Sequence, residues 1–291
     1  MIANVISPET TEELFKVIDE HKDTEFRFGA GYTDLLVELK KQPNEKLVVI
    51  NLARINDNQF TTITEKNNEI RVGALVTASE IISNETIKKQ FSVLYEAANK
   101  HASRQIRQVA TVGGNLCTAS PAGDLACALV ALKSECEIVS INGASRIIPI
   151  YSFFVDVRKT ELKNNEVLRT ITIPHNGDSK KVYSGFIKVG TRHSMECAVI
   201  SLAYHIQSDK NNKIKSAGIA IGSVAPTIKF AQTACDFLIG KEVKSISKLD
   251  AEEFARKVIE YANPISDIRA SAWYRKEVLF NISRSIFDEY K

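Results

Sequence analysis

The chain has 291 residues and carries 38 basic against 35 acidic side chains, a net charge of +3 too balanced to point to nucleic acid. Its 44% hydrophobic and 25% charged residues make an ordinary globular composition, long enough for two domains or three small lobes. No apolar run reaches the roughly 20 residues of a membrane span, and no basic-then-apolar leader follows Met1, so the expected location is the cytoplasm.

Thr10 and Glu13 have capping-box spacing, and Leu14, Val17 and Ile18 recur at helical spacing to about His21. FGAGYTD, Phe28 to Asp34, reads as a glycine turn entered from the apolar residues Phe26 and Phe28. It leads into a helix over about Thr33 to Lys40, whose N-terminal dipole adds to the turn. KLVVINLA, Lys46 to Ala53, has the valine and isoleucine content of a buried strand and closes a first lobe, residues 1–53.

From Arg54 to Val76 the pattern alternates around a hairpin turn at Asn67 and Asn68. Helices are expected from Thr77 to Ser83 and from Val93 to Lys100. The stretch His101 to Asp124, HASRQIRQVATVGGNLCTASPAGD, then interrupts two core-forming segments. Its Gly113 and Gly114 can take positive φ or admit another group close to the backbone, while Thr111, Asn115, Thr118 and Ser120 add side-chain donors. Such a turn suits a phosphate, although a lone glycine pair reads first as a tight turn among polar neighbours, and it is the second glycine turn that favours the phosphate. Two glycine turns could clasp a diphosphate from both sides. Beyond it come a buried helix, Leu125 to Leu132, a strand, Glu135 to Ile141, the turn Asn142-Gly143, and a strand from Glu166 that Pro174 stops. This makes a middle α+β lobe, residues 54–175.

HNGDSKK, from His175, reads as a linker into a third region, 176–291. SGFIKVGTR, AVISLAYHIQ and KSAGIAIGSV are three strands of an antiparallel sheet, with a turn over Asp209 to Lys213, and helices over Ala251 to Ala262 and Ser271 to about Tyr290 close the chain. Cys117, Cys127, Cys136, Cys197 and Cys235 are odd in number and lack a CxxC pair, so free buried thiols are expected.

The ordered motifs resemble the flavin-binding medium subunit of molybdenum hydroxylases, the family of xanthine, carbon monoxide and nicotinate dehydrogenases. AGYTDLL, Ala30 to Leu36, is similar to that family's AGGTDLL, and RVGALVTASEI, Arg71 to Ile81, to its RIGALxTxxEI. QIRQVATVGGN, Gln105 to Asn115, is similar to QIRNVATIGGN, with SPAGD just beyond. EVLRTITIP, FIKVGTR (Phe186 to Arg192) and ISDIRASAWYR (Ile265 to Arg275) follow in the same order.

The resemblance implies an α+β fold: two N-terminal FAD-binding lobes of PCMH type, then a C-terminal domain with a three-stranded antiparallel sheet and helices. It implies FAD held through the amides of Ala30, Gly31, Tyr32 and Thr33 and of Thr111, Gly113, Gly114 and Asn115, with Thr118 nearby. Asp34 would end the first turn, Asp124 would lie near the adenosine portion, Leu168 and Lys188 beside the adenine or flavin, and His101 and Ala102 near the isoalloxazine. Simpler readings stand beside these: Asp34 capping its helix, Lys188 as a solvated strand residue, His101 as a structural histidine. Tyr32 replaces a glycine of the family motif and fits if its φ is negative.

No catalytic residue and no metal ligand is expected in this chain, and no cysteine spacing here would hold a 2Fe–2S cluster. The resemblance therefore places 2Fe–2S on an iron–sulfur small subunit and molybdopterin on a large subunit, with electrons leaving FAD to NAD or another acceptor. A xanthine or purine dehydrogenase assembly leads, with nicotinate or another N-heterocycle as the alternative. From other classes, a flavin-free assembly subunit and a stand-alone flavin oxidase stay open.

Overall fold

The structure is a computed structural model and describes residues 4–66, 68–175, 181–192 and 195–288. Asn67 of the expected hairpin turn, most of the linker (176–180) and the helix end at Tyr290 lie outside them.

The N-terminal lobe is a three-stranded parallel sheet ordered β1 (Asn4–Ile6), β3 (Val48–Asn51), β2 (Phe26–Gly29), with α1 (Thr11–Glu20) and α2 (Leu35–Lys41) as crossovers. Thr10 caps α1 by accepting from the Glu13 N–H at 3.1 Å, while the Glu13 carboxylate accepts from Glu9 rather than Thr10. Leu14 and Ile18 drop into a core with Ile50 and Phe60.

The middle lobe is a five-stranded antiparallel sheet. Short α3 (Asn58–Thr61) precedes the hairpin β4 (Ile63–Lys66) and β5 (Glu69–Gly73). A helical run follows: α4 (Ala78–Ser83), α5 (Glu85–Gln90), α6 (Ser92–Lys100), α7 (Arg104–Arg107), α8 (Val112–Thr118) and α9 (Asp124–Ala131). β6 (Glu135–Ser140), β7 (Ser145–Pro149) and the small hairpin β8 (Phe154–Asp156) and β9 (Lys159–Thr160) lead to β10 (Glu166–Pro174), which inserts centrally to give the order β4-β5-β10-β6-β7. A bulge between Leu168 and Thr170 breaks the β10–β6 register; there the Arg169 carbonyl accepts from Ala74 and its guanidinium reaches Glu137 at 2.6 Å. Arg71 meets the same carboxylate at 2.7 Å, so Glu137 is buried as the centre of a cross-strand ion cluster.

The C-terminal region holds the three expected strands, β11 (Lys181–Val189), β12 (Ile200–Ser208) and β13 (Ile214–Gly222), and a short β14 (Lys229–Phe230) extends the antiparallel sheet to four. All of β12 is buried because helices cover both faces: α6 and α9 on one, and α10 (Gln232–Leu238), α11 (Lys248–Ile259) and α12 (Ala272–Ser285) on the other. Gly218 exists for this contact, since a Cβ there would fall 1.8 Å from the Ala131 carbonyl of α9.

Cys127, Cys136 and Cys235 are buried free thiols, and burial pushes the Cys127 and Cys235 thiols up to about 12. Cys117 and Cys197 depart from expectation: both are exposed, and both face the cavity described next.

Candidate cofactor site

A cavity of about 700 Å³ opens between the N-terminal lobe and the middle lobe, within the size range of small-molecule sites. Its first wall is the turn between β2 and α2, where Ala30, Gly31, Tyr32, Thr33 and Asp34 all line it. Tyr32 has φ of 59°, the left-handed region, which corrects the expectation of a negative φ: the reversal from strand to helix needs this conformation, at a cost of roughly 1–2 kcal/mol for a residue with a Cβ. Among the described residues, the N–H groups of 30–34 have no acceptor in the protein. Consecutive free amides around a left-handed residue form an electropositive concavity for an anion. Gly31 sets its position, because a Cβ there would lie 1.9 Å from the Val109 carbonyl oxygen.

The second glycine segment is built differently. TVGGN is the start of α8, not an open turn, and neither glycine there has positive φ. Val112 N–H donates to Val76, Gly113 to Ala74 at 2.7 Å, Asn115 to Thr111, and Gly114 to the Thr111 hydroxyl at 3.0 Å. The amides of Gly113, Gly114 and Asn115, expected to hold a diphosphate, thus each have an acceptor within the chain, unlike those of 30–34. Gly113 is needed for packing, since its Cβ would meet Ala74 at 2.7 Å. Thr111, Gly113, Gly114, Asn115 and Thr118 do line the cavity. The side chains of Asn115 and Thr118 are donors in that lining, and Asn115 Oδ1 is already engaged, accepting from Ala126 at 3.0 Å.

His101, Ala102 and Leu168 complete the wall, the first two on a turn that Arg107 pins by donating to the carbonyls of Asn99, His101 and Ala102. Asp124 and Lys188 lie outside the lining and reach it through His101. Lys188 Nζ donates to Asp124 Oδ2 at 2.7 Å with both side chains almost wholly buried, and His101 Nδ1 stands 3.4 Å from the same oxygen. Lys188 is therefore not a solvated strand residue. Asp124 Oδ1 is buried and has no partner among the described residues, a carboxylate oxygen open to one further donor. Asp34 does not cap α2; its carboxylate pairs with Arg158 at 2.8 Å, tying the first wall to the β8–β9 hairpin.

Sequence reasoning missed Arg158, and it missed the segment 160–166 that closes one side of the cavity. Glu166 anchors that segment by accepting from Arg146 at 2.9 and 2.8 Å and from the Lys163 N–H, and Arg146 holds the Glu166 carboxyl below its usual range. No local pattern marks a pair whose members sit on separate strands.

The geometry suits a dinucleotide: an anion cradle, apolar Phe28, Leu75 and Leu168 for flat rings, and His101 in the wall with the buried Asp124–Lys188 pair behind it. A family model described as the FAD binding domain in molybdopterin dehydrogenase matches residues 1–176. The chain belongs to that family. A second family model, the CO dehydrogenase flavoprotein C-terminal domain, matches residues 186–290, so both parts of the chain are family parts. Relatives include the glyceraldehyde dehydrogenase medium chain of Sulfolobus acidocaldarius, 27% identical across 98% of this chain and 96% of that one. The nicotinate dehydrogenase FAD-subunit of Eubacterium barkeri is 26% identical across 97% and 93%. Among solved structures, carbon monoxide dehydrogenase of Hydrogenophaga pseudoflava superposes with a TM-score of 0.89 over 98% of this chain and 95% of that one, at 23% identity, which establishes the shared fold.

The chain is thus an oxidoreductase subunit with an FAD-binding domain. FAD fits the cavity on the chain's own terms, since the free amides of 30–34 match a diphosphate and the apolar Phe28, Leu75 and Leu168 match flat rings. No cluster of His, Cys, Asp and Glu among the described residues could hold a metal ion, and no described helix is long and apolar enough to cross a membrane.

Proposed function

We propose that this chain is the FAD-bearing electron-transfer subunit of a cytoplasmic molybdenum hydroxylase assembly, organised as lobes 1–53, 54–175 and 176–291. An iron–sulfur small subunit would feed it electrons from a molybdopterin large subunit, and NAD or another acceptor would take them away. The observation that carries the reading is the run of free amides at 30–34 facing a cavity of about 700 Å³. FAD, when bound, supplies the exchange between single electrons and electron pairs. The chain's residues supply the rest: amides of 30–34 neutralise the diphosphate, Ala102 and Leu168 exclude water from the ring system, and the Asp124–Lys188–His101 group fixes polar atoms beside it. Three large apolar side chains within nine residues, Ile265 and Trp273 each 71% exposed and Ile268 fully exposed, support a chain that works inside an assembly.

A purine or another N-heterocycle leads as the substrate of the assembly, supported by the nicotinate relative and by the xanthine dehydrogenase FAD-binding subunit of Escherichia coli O157:H7 at 26% identity. The glyceraldehyde relative favours a second reading in which the assembly oxidises an aldehyde. Either way the choice of substrate belongs to a partner chain. The test is the flavin itself: acid-released cofactor from the purified chain should be FAD at one per chain, and a colourless chain that takes up no FAD on titration would establish the flavin-free assembly subunit instead.

A further inference from the structure

We infer that the Tyr32 side chain is a clamp on the FAD diphosphate, donating a hydrogen bond from its phenol in addition to the amide of its backbone. This rests on the FAD reading above and goes beyond it, because the family motif places glycine at this position. A glycine would take φ of 59° without strain, whereas tyrosine holds it against its Cβ. Strain retained at a ligand-facing turn points to a use for the side chain. The ring lies back over the turn: a Cβ on Gly29 would fall 2.4 Å from Tyr32 Cε1 and 2.7 Å from its hydroxyl oxygen. That packing fixes the ring beside the free amides of 30–34, and Tyr32 lines the cavity.

The hydroxyl has no hydrogen-bond partner in the protein among the described residues. Burial raises its pKa above the ordinary value, so the phenol stays protonated and acts as a donor. An anionic oxygen is the partner such a donor best serves, since hydrogen bonds to charged groups exceed neutral ones. Asp34, the nearest acid in sequence, is already engaged by Arg158, which leaves the bound phosphate as the acceptor.

Two variants of the full chain separate a clamp from a filler. Tyr32→Phe keeps the ring, the packing on Gly29 and the backbone strain, and removes only the donor. Its affinity for FAD and for ADP, measured by titration and competition, should fall about tenfold, as loss of one hydrogen bond to a charged group predicts, while adenosine, which lacks phosphate, should compete equally well against both proteins. Tyr32→Gly should raise the melting temperature of the cofactor-free chain and weaken FAD at least as much. Unchanged FAD and ADP affinity in Tyr32→Phe overturns the clamp, and so does an equal loss for adenosine, which would put the contact on the nucleoside. Failure of the wild-type chain itself to bind FAD or ADP would instead sink the underlying FAD reading.

Discussion

Gly31→Val strips the chain of FAD. A Cβ at this position would lie 1.9 Å from the Val109 carbonyl oxygen and 2.7 Å from its carbon, both backbone atoms of the neighbouring segment, so no side-chain rotation relieves the clash. The turn must move away from Val109, and the amides of 30–34 lose their common focus. Misplacing a set of phosphate donors by about an ångström removes several hydrogen bonds at once, so we expect FAD affinity to fall at least about 100-fold. Gly114→Ala is the control. Its Cβ meets only the Thr111 hydroxyl, at 2.8 Å, and disturbing that cap costs on the order of 1 kcal/mol. Flavin content after gel filtration ranks the two: a Gly31→Val chain with full FAD would show that this turn does not hold the diphosphate.

Arg275→Ala destabilises the C-terminal sheet by about 3–5 kcal/mol, the range for removing one partner from a buried charged network. Arg275 is 2% exposed and donates to the carbonyls of Val199 and Ser223 and to Asp267 at 2.8 Å. It joins the start of α12 to the beginning of β12 and to the turn after β13. Lysine should restore little, because one ammonium cannot span acceptors that a planar guanidinium reaches together. Desolvation pushes the Asp267 carboxyl up, yet the N–H groups of Arg269 and Ala270 and the guanidinium of Arg275 hold it well below its ordinary value. A depressed carboxylate contributes stability that is complete above its unfolded pKa of about 3.9 and fades as pH falls below it. Arg275→Ala should therefore lose part of this acid-side decline as well as its midpoint in denaturant. Unfolding curves within about 0.5 kcal/mol of wild type would refute the role.

Local chemistry was legible where its partners are near in sequence. The helix expected from Thr77 to Ser83 is α4 within one residue, and the apolar run of α9 is buried throughout. The first glycine turn lies where the sequence places it, but the condition set on Tyr32, a negative φ, is not met, because the strand-to-helix reversal and not the side chain dictates the sign. TVGGN was misread as an open turn. Gly113 is small because the Ala74 backbone presses on it, and a contact between distant segments leaves no local mark. Arg275 shows the same limit: it occupies the buried stripe of α12 with Leu279, where a hydropathy pattern expects an apolar residue. Asp124 and Lys188 could be named from the family motifs alone, and their ion pair emerges only when the fold brings Lys188 of β11 to the first residue of α9.

The claim that this chain carries flavin but not the oxidation chemistry is tested most directly by rapid-mixing spectroscopy of the FAD-loaded chain with purine, nicotinate and aldehyde substrates. Alone, its flavin absorbance should stay unchanged with every substrate, while a chemical reductant bleaches it. With the iron–sulfur and molybdopterin chains added, one of the substrates should bleach it. Substrate-dependent bleaching by the isolated chain would contradict the account, because the hydroxylation site would then have to lie within these residues.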